Sequence, residues 1–283
     1  MGSRPHLKAA VLGALKADGS IEPFGSGFPV DGGRRLLISC AHVWNEIMQM
    51  YDTNTSTVLD PMHDGVAVGF AKEDGTIEWC GRAELRGRSD TIDLVVLQMT
   101  AELDGSALPA AHALPALRLG DTAALQPGDK LTILGFGHPA AGMSLIAMPV
   151  FGEFSVIDLE APDGPWIRLG GAPPEHPGHS GGPVLNSRSG KVVGWVVRTQ
   201  RRGGVAVCSE YRPVESLEPL LAKVLIDLEP GLDALLYTPA SPDPPKLCSK
   251  ALRKQLIMQG EARASQRQWL ATEIQRDNAL TRT

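Results

Sequence analysis

Long apolar runs are missing from these 283 residues: no stretch of 18 or more apolar side chains occurs, so no membrane-spanning helix is expected. Positive charge is not in excess. The 27 Lys and Arg face 32 Asp and Glu, for a net charge of −5, which argues against a broad nucleic-acid or anionic-membrane surface. Cysteine is scarce, with Cys40, Cys80, Cys208 and Cys248 far apart. That spacing excludes a CxxC metal pair, and four in so long a chain is no disulfide framework. Free thiols and a cytoplasmic setting are the expectation. At the N-terminus, "MGSRPHLKAAVLGALKADGS" holds only a short apolar patch broken by Lys16 and Asp18, a poor secretory signal. Aromatics are few, at 5%, whereas 31 Gly and 22 Pro point to many turns, and a 43% hydrophobic fraction is ample for a packed core.

What is present is a succession of short apolar stretches between turn signals. "AAVLGAL", "RRLLISC", "GVAVGF", "GTIEWC", "DLVVLQM", "KLTILGFG", "MSLIAMPVFGEFSVIDL", "PWIRLG", "KVVGWVVRTQ" and "GVAVCSE" are mostly four to eight residues rich in Val, Ile and Leu. Such runs are too short for buried helices and read as strands. Ten or more strands make an all-β sandwich or barrel. In "PVESLEPLLAKVLIDL", Leu217, Leu220, Leu221, Val224 and Leu225 fall on one helical face, with Pro219 near its start. A helix over 213–228 is expected to close the β domain. "YTPASPDPPK" then reads as an extended linker, placed at 229–246, and 247–283 as a helical extension. From Ser241 onward eight Lys and Arg face four Asp and Glu, against the net −5 of the whole chain. This reversal fits either a solvated extension on its own domain or a docking arm over 241–283 for a regulatory partner or a second copy.

Ser180, in "PPEHPGHSGGPVLN", is the candidate nucleophile. A serine hydroxyl is protonated at neutral pH, so it needs a base, a carboxylate to orient that base, and amides aimed at the developing oxyanion. "GHSGG" fits the G-x-S-x-G elbow of α/β-hydrolases, where the histidine follows the serine. Here all seven histidines precede Ser180, so the base comes from upstream. "LLISCAHVW" places His42 just after an apolar strand, and "DTIDLVVLQM" places Asp93 at the head of another. Asp90 is the rival carboxylate. His176 and His179 form an H-x-x-H pair, but no helix passes through Pro177-Gly178 and no third ligand is near, so neither metal nor cofactor is expected.

The order His, Asp, Ser is that of the chymotrypsin template. With "GSGFPV", "SCAHV", "DLVVLQ", "HPGHSGGPV" and "KVVGWVV" in order over about residues 7–228, the sequence resembles the trypsin-like serine peptidases, especially their bacterial, HtrA-related branch. The resemblance implies two six-stranded antiparallel β-barrels, at about 7–115 and 116–212, within a peptidase domain spanning 1–228. The site would lie between the barrels. His42 would be general base and then acid, Asp93 (which abuts "LVVL" as the family pattern does) its orienting carboxylate, and Ser180 the nucleophile. The amides of Gly178 and Ser180 would form the oxyanion hole. The implied activity is a serine endopeptidase acting on protein substrates, with a silent peptide-binding module as the alternative. Pro174, Glu175, Val196 and Val197 are candidate pocket residues, and their mostly apolar character favours a small or aliphatic residue before the scissile bond.

The sequence departs from the family in two places. His179 stands before the nucleophile where zymogen-derived members carry an acid, so activation by N-terminal processing is not expected. The segment after the core is too short and too helical for a PDZ domain. The chain is then similar to compact trypsin-like domains of bacterial conflict systems, in which a partner or assembly gates the protease.

Overall fold

The structure, a computed structural model, describes residues 8–16, 18–53, 65–72, 76–109, 112–122, 125, 129–137, 146–147, 150–157, 166–170, 178–202 and 205–228. The extension at 229–283, and with it the expected linker and docking arm, lies outside the described residues. Among the described residues no helix is long and apolar enough to cross a membrane.

Six strands make the first barrel: β1 (Ala10–Leu15), β2 (Ile21–Asp31), β3 (Leu36–Ser39), β4 (Val66–Ala71), β5 (Ile77–Ser89) and β6 (Leu94–Ala101). β1 closes the barrel by pairing antiparallel with both β2 and β4, so that Ala10 faces Gly27 on one side and Phe70 on the other. The order around the barrel is β1-β2-β3-β6-β5-β4. β3 and the Leu94–Leu97 half of β6 are buried at every residue. Continuous apolar runs suit strands with no wet face: Leu36 and Ile38 on one face of the β3–β6 pair, and Val95 and Leu97 on the other, all lie in the core.

The second half holds β7 (Lys130–Ile133), a two-stranded ribbon of β8 (Phe136–Gly137) and β9 (Ile146–Ala147), then β10 (Val150–Ile157), β11 (Trp166–Gly170), β12 (Pro183–Asn186), β13 (Val192–Arg202) and β14 (Val205–Pro213). All but the ribbon close into a second antiparallel barrel in the order β10-β11-β14-β13-β12-β7. Closure removes the sheet edges of both barrels. Leu131, Ile133, Val184, Val193, Val196 and Tyr211 fill the second barrel. The larger core cluster does not stop at the first barrel: it runs on through Phe136, Leu185, Trp195 and Val197. The two barrels are therefore packed on each other through apolar side chains.

Helices α1 (Ala41–Thr53) and α2 (Glu218–Leu228) complete the described elements. The strand pattern leaves 41–53 unassigned. Its helix buries Val43 and Ile47, four apart, and lays Trp44, Met48 and Tyr51 against the same core. The closing helix begins as a 3-10 turn at Val214–Leu217 before α2 takes over at Glu218. Pro219 sits in the first turn of α2, where its missing N–H removes no helical hydrogen bond. Leu217, Leu221 and Val224 are buried, and the helix packs back onto β5 of the first barrel, tying the chain's later half to its earlier one.

Candidate active site

His42 stands in the first turn of α1, immediately after β3 has delivered the chain to the barrel junction. Its backbone N–H donates to Oδ1 of Asp93 at 2.9 Å, and its ring Nδ1 lies 2.6 Å from Oδ2 of the same carboxylate. One carboxylate thus caps an orphan amide at a helix N-terminus and orients the imidazole. Fixing both ring and backbone to the same two oxygens leaves His42 little rotational freedom.

Asp93 closes a turn at the head of β6, with its N–H donating to the carbonyl of Asp90 at 3.3 Å. Its φ is +51°, a left-handed conformation that costs a non-glycine residue about 1–3 kcal/mol and clusters at functional sites. The turn is braced from the second barrel, where buried Arg212 on β14 donates from Nη2 to the carbonyl of Thr91 at 3.5 Å. Asp90 is committed elsewhere: its Oδ1 accepts from Arg88 Nε at 2.8 Å.

Burial is the largest single influence on the His42 ring and pulls its pKa down. The hydrogen bond and charge of Asp93, with a smaller contribution from Glu46, outweigh it, so the net direction is upward. Burial likewise pushes Asp93 up. The ring hydrogen bond and charge of His42, its backbone N–H and a hydrogen bond from the Cys40 thiol overcome that and hold the carboxyl below its ordinary range. Each group stabilises the charge of the other.

Ser180 lies on a tight turn between the barrels. The N–H of Gly182 donates to the carbonyl of His179 at 2.9 Å, and Gly181 at the third position has φ +83°, as a type II turn requires. Ser26 on β2 fastens this turn from both sides. Its N–H donates to the carbonyl of Ser180 at 2.9 Å, and its Oγ donates to the carbonyl of Gly178 at 2.7 Å. The Ser26 carbonyl in turn accepts from Ser39 Oγ at 2.7 Å. The 178–182 segment is therefore seated on β2 and on the end of β3, the strand that leads into His42. Gly178 itself has φ +103°.

A family model for the trypsin-like peptidase domain matches residues 25–194, more than half of the chain. The chain belongs to the trypsin-like peptidase domain family. Among solved structures, Deg5 matches at 18% identity over 78% of this chain and 90% of its own, with a TM-score of 0.53. The HtrA-type protease AlgW with decapeptide matches at 18% identity over 81% of this chain and 66% of its own, with a TM-score of 0.52. AlgW with tripeptide gives 20% identity and a TM-score of 0.51, and this chain spans only 62% of that one. These likenesses are of fold. Among curated proteins no sequence match was found.

Of the residues the sequence singled out in this trypsin-like domain, Pro174, Glu175 and His176 lie outside the described residues. Val196 and Val197 are buried, Val196 inside the second barrel and Val197 in the cluster shared between barrels. Val196 meets the nucleophile turn through its backbone, accepting from Gly181 N–H at 2.8 Å and donating to the carbonyl of Gly182 at 2.9 Å. His179, directly before Ser180, is fully buried. Ser26 was not among the expected site residues. Its only sequence signal is the small-residue run "GSG" opposite an apolar strand, which is common to many turns. Of groups that could hold a metal, Cys40, His42 and Asp93 offer ligand atoms all within 4.8 Å of one another.

Gly181 is the least replaceable residue of the turn. A Cβ there would collide with the Ser26 carbonyl and Ser39 Oγ, and would lie 3.0 Å from the Cys40 nitrogen. Gly181→Ala combines a positive φ, costing about 1–3 kcal/mol, with overpacking of about 1–3 kcal/mol. Urea denaturation is expected to show a loss of about 2–6 kcal/mol, whereas a change below about 1 kcal/mol would contradict this seat.

Proposed function

We propose that the chain is a serine endopeptidase that cleaves protein substrates through an acyl-enzyme. The observation carrying this reading is the double attachment of His42 to Asp93, at 2.6 Å through the ring and 2.9 Å through the backbone. With Nδ1–H donated to Oδ2, the neutral ring keeps a lone pair on Nε2, the tautomer a general base needs. In the proposed cycle Ser180 Oγ attacks the scissile carbonyl and its proton passes to Nε2. The tetrahedral oxyanion accepts hydrogen bonds from the amides of Gly178 and Ser180. The C–N bond then breaks as Nε2 gives its proton to the departing amine. Water repeats the sequence on the acyl group and frees Ser180.

Control by a partner or by assembly, rather than by a freed N-terminus, belongs to the same proposal. It is supported by the histidine at position 179 and by the charge reversal of 241–283. A cytoplasmic setting, supported by the scattered cysteines, and a place in a bacterial defence system, supported by the family resemblance, complete it.

A fluorophosphonate probe tests the core of this reading. The expected result is one covalent adduct per chain, mapped by peptide mass spectrometry to Ser180. An adduct on another serine, or a protein that binds peptides but neither reacts with the probe nor cleaves them, would replace the peptidase with a binding module.

A further inference from the structure

Cys40 is fully buried and caps the N-terminus of α1, with its carbonyl accepting from Trp44 N–H at 3.3 Å. Its thiol donates to the carbonyl of Val196 at 3.2 Å and also reaches the Asp93 carboxylate. Nothing in the acyl-transfer cycle uses a thiol there. Yet sulfur, imidazole nitrogen and carboxylate oxygen converge within 4.8 Å. They come from three chain positions held by β3, α1 and the 90–93 turn. That donor set is the type a thiophilic divalent ion prefers, and two anionic ligands would neutralise its charge.

We propose that Cys40, His42 and Asp93 form an inhibitory binding site for Zn2+. The ion would take the Cys40 thiolate, Nδ1 of His42 and a carboxylate oxygen of Asp93, with water in the fourth position. Tetrahedral bonds of about 2.0–2.3 Å place ligand atoms about 3.3–3.6 Å apart. The 2.6 Å gap between Nδ1 and Oδ2 therefore has to widen, while the sulfur has at most a modest distance to close. The route in is through the other two ligands, since the His42 and Asp93 side chains are 39% and 24% exposed. Losing the thiol hydrogen bond does not orphan the Val196 carbonyl, which still accepts from Gly181 N–H at 2.8 Å. On binding, the thiol proton leaves to solvent and the ring proton moves from Nδ1 to Nε2. An Nε2–H ring has no lone pair for the Ser180 proton, so the metal would silence the base without touching the nucleophile.

The inhibition rests on the proposed role of His42, but the metal site does not, and Co2+ reads the site separately. Co2+ added to the full chain is expected to give a near-ultraviolet thiolate-to-cobalt charge-transfer band. The band should persist in Ser180→Ala and vanish in Cys40→Ala and in the near-isosteric Cys40→Ser, whose folding is checked by circular dichroism. The other described thiol, Cys80, belongs to no such group of ligand atoms among the described residues. In parallel, the Zn2+ concentration that halves peptide hydrolysis should rise at least tenfold in either Cys40 variant, each measured against its own uninhibited rate. Absence of the band in the wild-type chain, or its retention in both Cys40 variants, overturns the site. A band that depends on Cys40 without any inhibition shows a bound metal that leaves the His42 ring free to act, and overturns the inhibitory site.

Discussion

Ser180→Ala is expected to lower kcat for peptide hydrolysis about 10^6-fold, the scale on which removal of an activated serine acts in enzymes of this mechanism. The chemistry of the reading is concentrated in one bond-forming atom. Without Oγ no acyl-enzyme can form, and what would remain is water attacking a carbonyl polarised by the proposed oxyanion hole, the amides of Gly178 and Ser180. Those amides belong to the backbone and survive the substitution. The turn should survive as well. Its geometry is set by Gly181 at φ +83° and by the Ser26 bonds to the carbonyls of Gly178 and Ser180, none of which involves the Ser180 side chain. A thermal midpoint close to that of the wild type, together with the loss of turnover, would separate chemistry from folding. Retention of more than about 1% of kcat would require another nucleophile.

Short apolar runs between turns made an all-β sandwich or barrel legible, and the resemblance to trypsin-like peptidases is what implied two barrels. β1, β3, β4 and β6 are each such a run. α1 escaped because "LLISC" ends in the same apolar idiom in which the helix begins. The i, i+4 pairing of Val43 with Ile47 is visible only once a helix is asked for. At the site, motif order pointed to His42, Asp93 and Ser180 as residue types, but the forces that hold them are not local in sequence. Ser26 reaches Gly178 across 152 residues, and Arg212 reaches the turn of Asp93 across 121. No periodicity encodes such bonds. Asp90 and Asp93 are alike in composition and differ in what surrounds them. Arg88 engages the first, while the positive φ of the second belongs to the turn from which its carboxylate meets α1. For Val196, apolar character was readable, but the side to which it points was not. It fills the second barrel and presents its backbone to the Ser180 turn.

Asp93→Asn should lower kcat about 10^4-fold, the effect known for a neutralised triad carboxylate, with a secondary signature in pH. Asparagine is isosteric, and its amide oxygen can still accept from the His42 backbone N–H, so α1 keeps its cap. The amide NH2 then faces the ring nitrogen now 2.6 Å from Oδ2. Two donors cannot share that contact, so the neutral ring is driven to the Nε2–H tautomer and loses its basic nitrogen toward Ser180. With His42 as the proposed base, the wild-type rate should rise as pH climbs through the His42 pKa. Asp93 holds that pKa above the ordinary histidine value of about 6.5. Removing the negative charge leaves burial, which acts in the opposite direction, so the residual activity of the variant should have its acid limb at lower pH. Stability moves by the same linkage. The raised His42 contributes fully below its unfolded pKa and loses its contribution as pH rises through the folded one. The depressed Asp93 contributes above its unfolded pKa of about 3.9 and loses its contribution as pH falls through the folded one. The wild-type advantage over Asp93→Asn in thermal unfolding is therefore greatest between roughly pH 4 and 6.5. An advantage that instead grew steadily above pH 8 would mean that the pair is not the His42⁺–Asp93⁻ couple on which the general-base assignment depends.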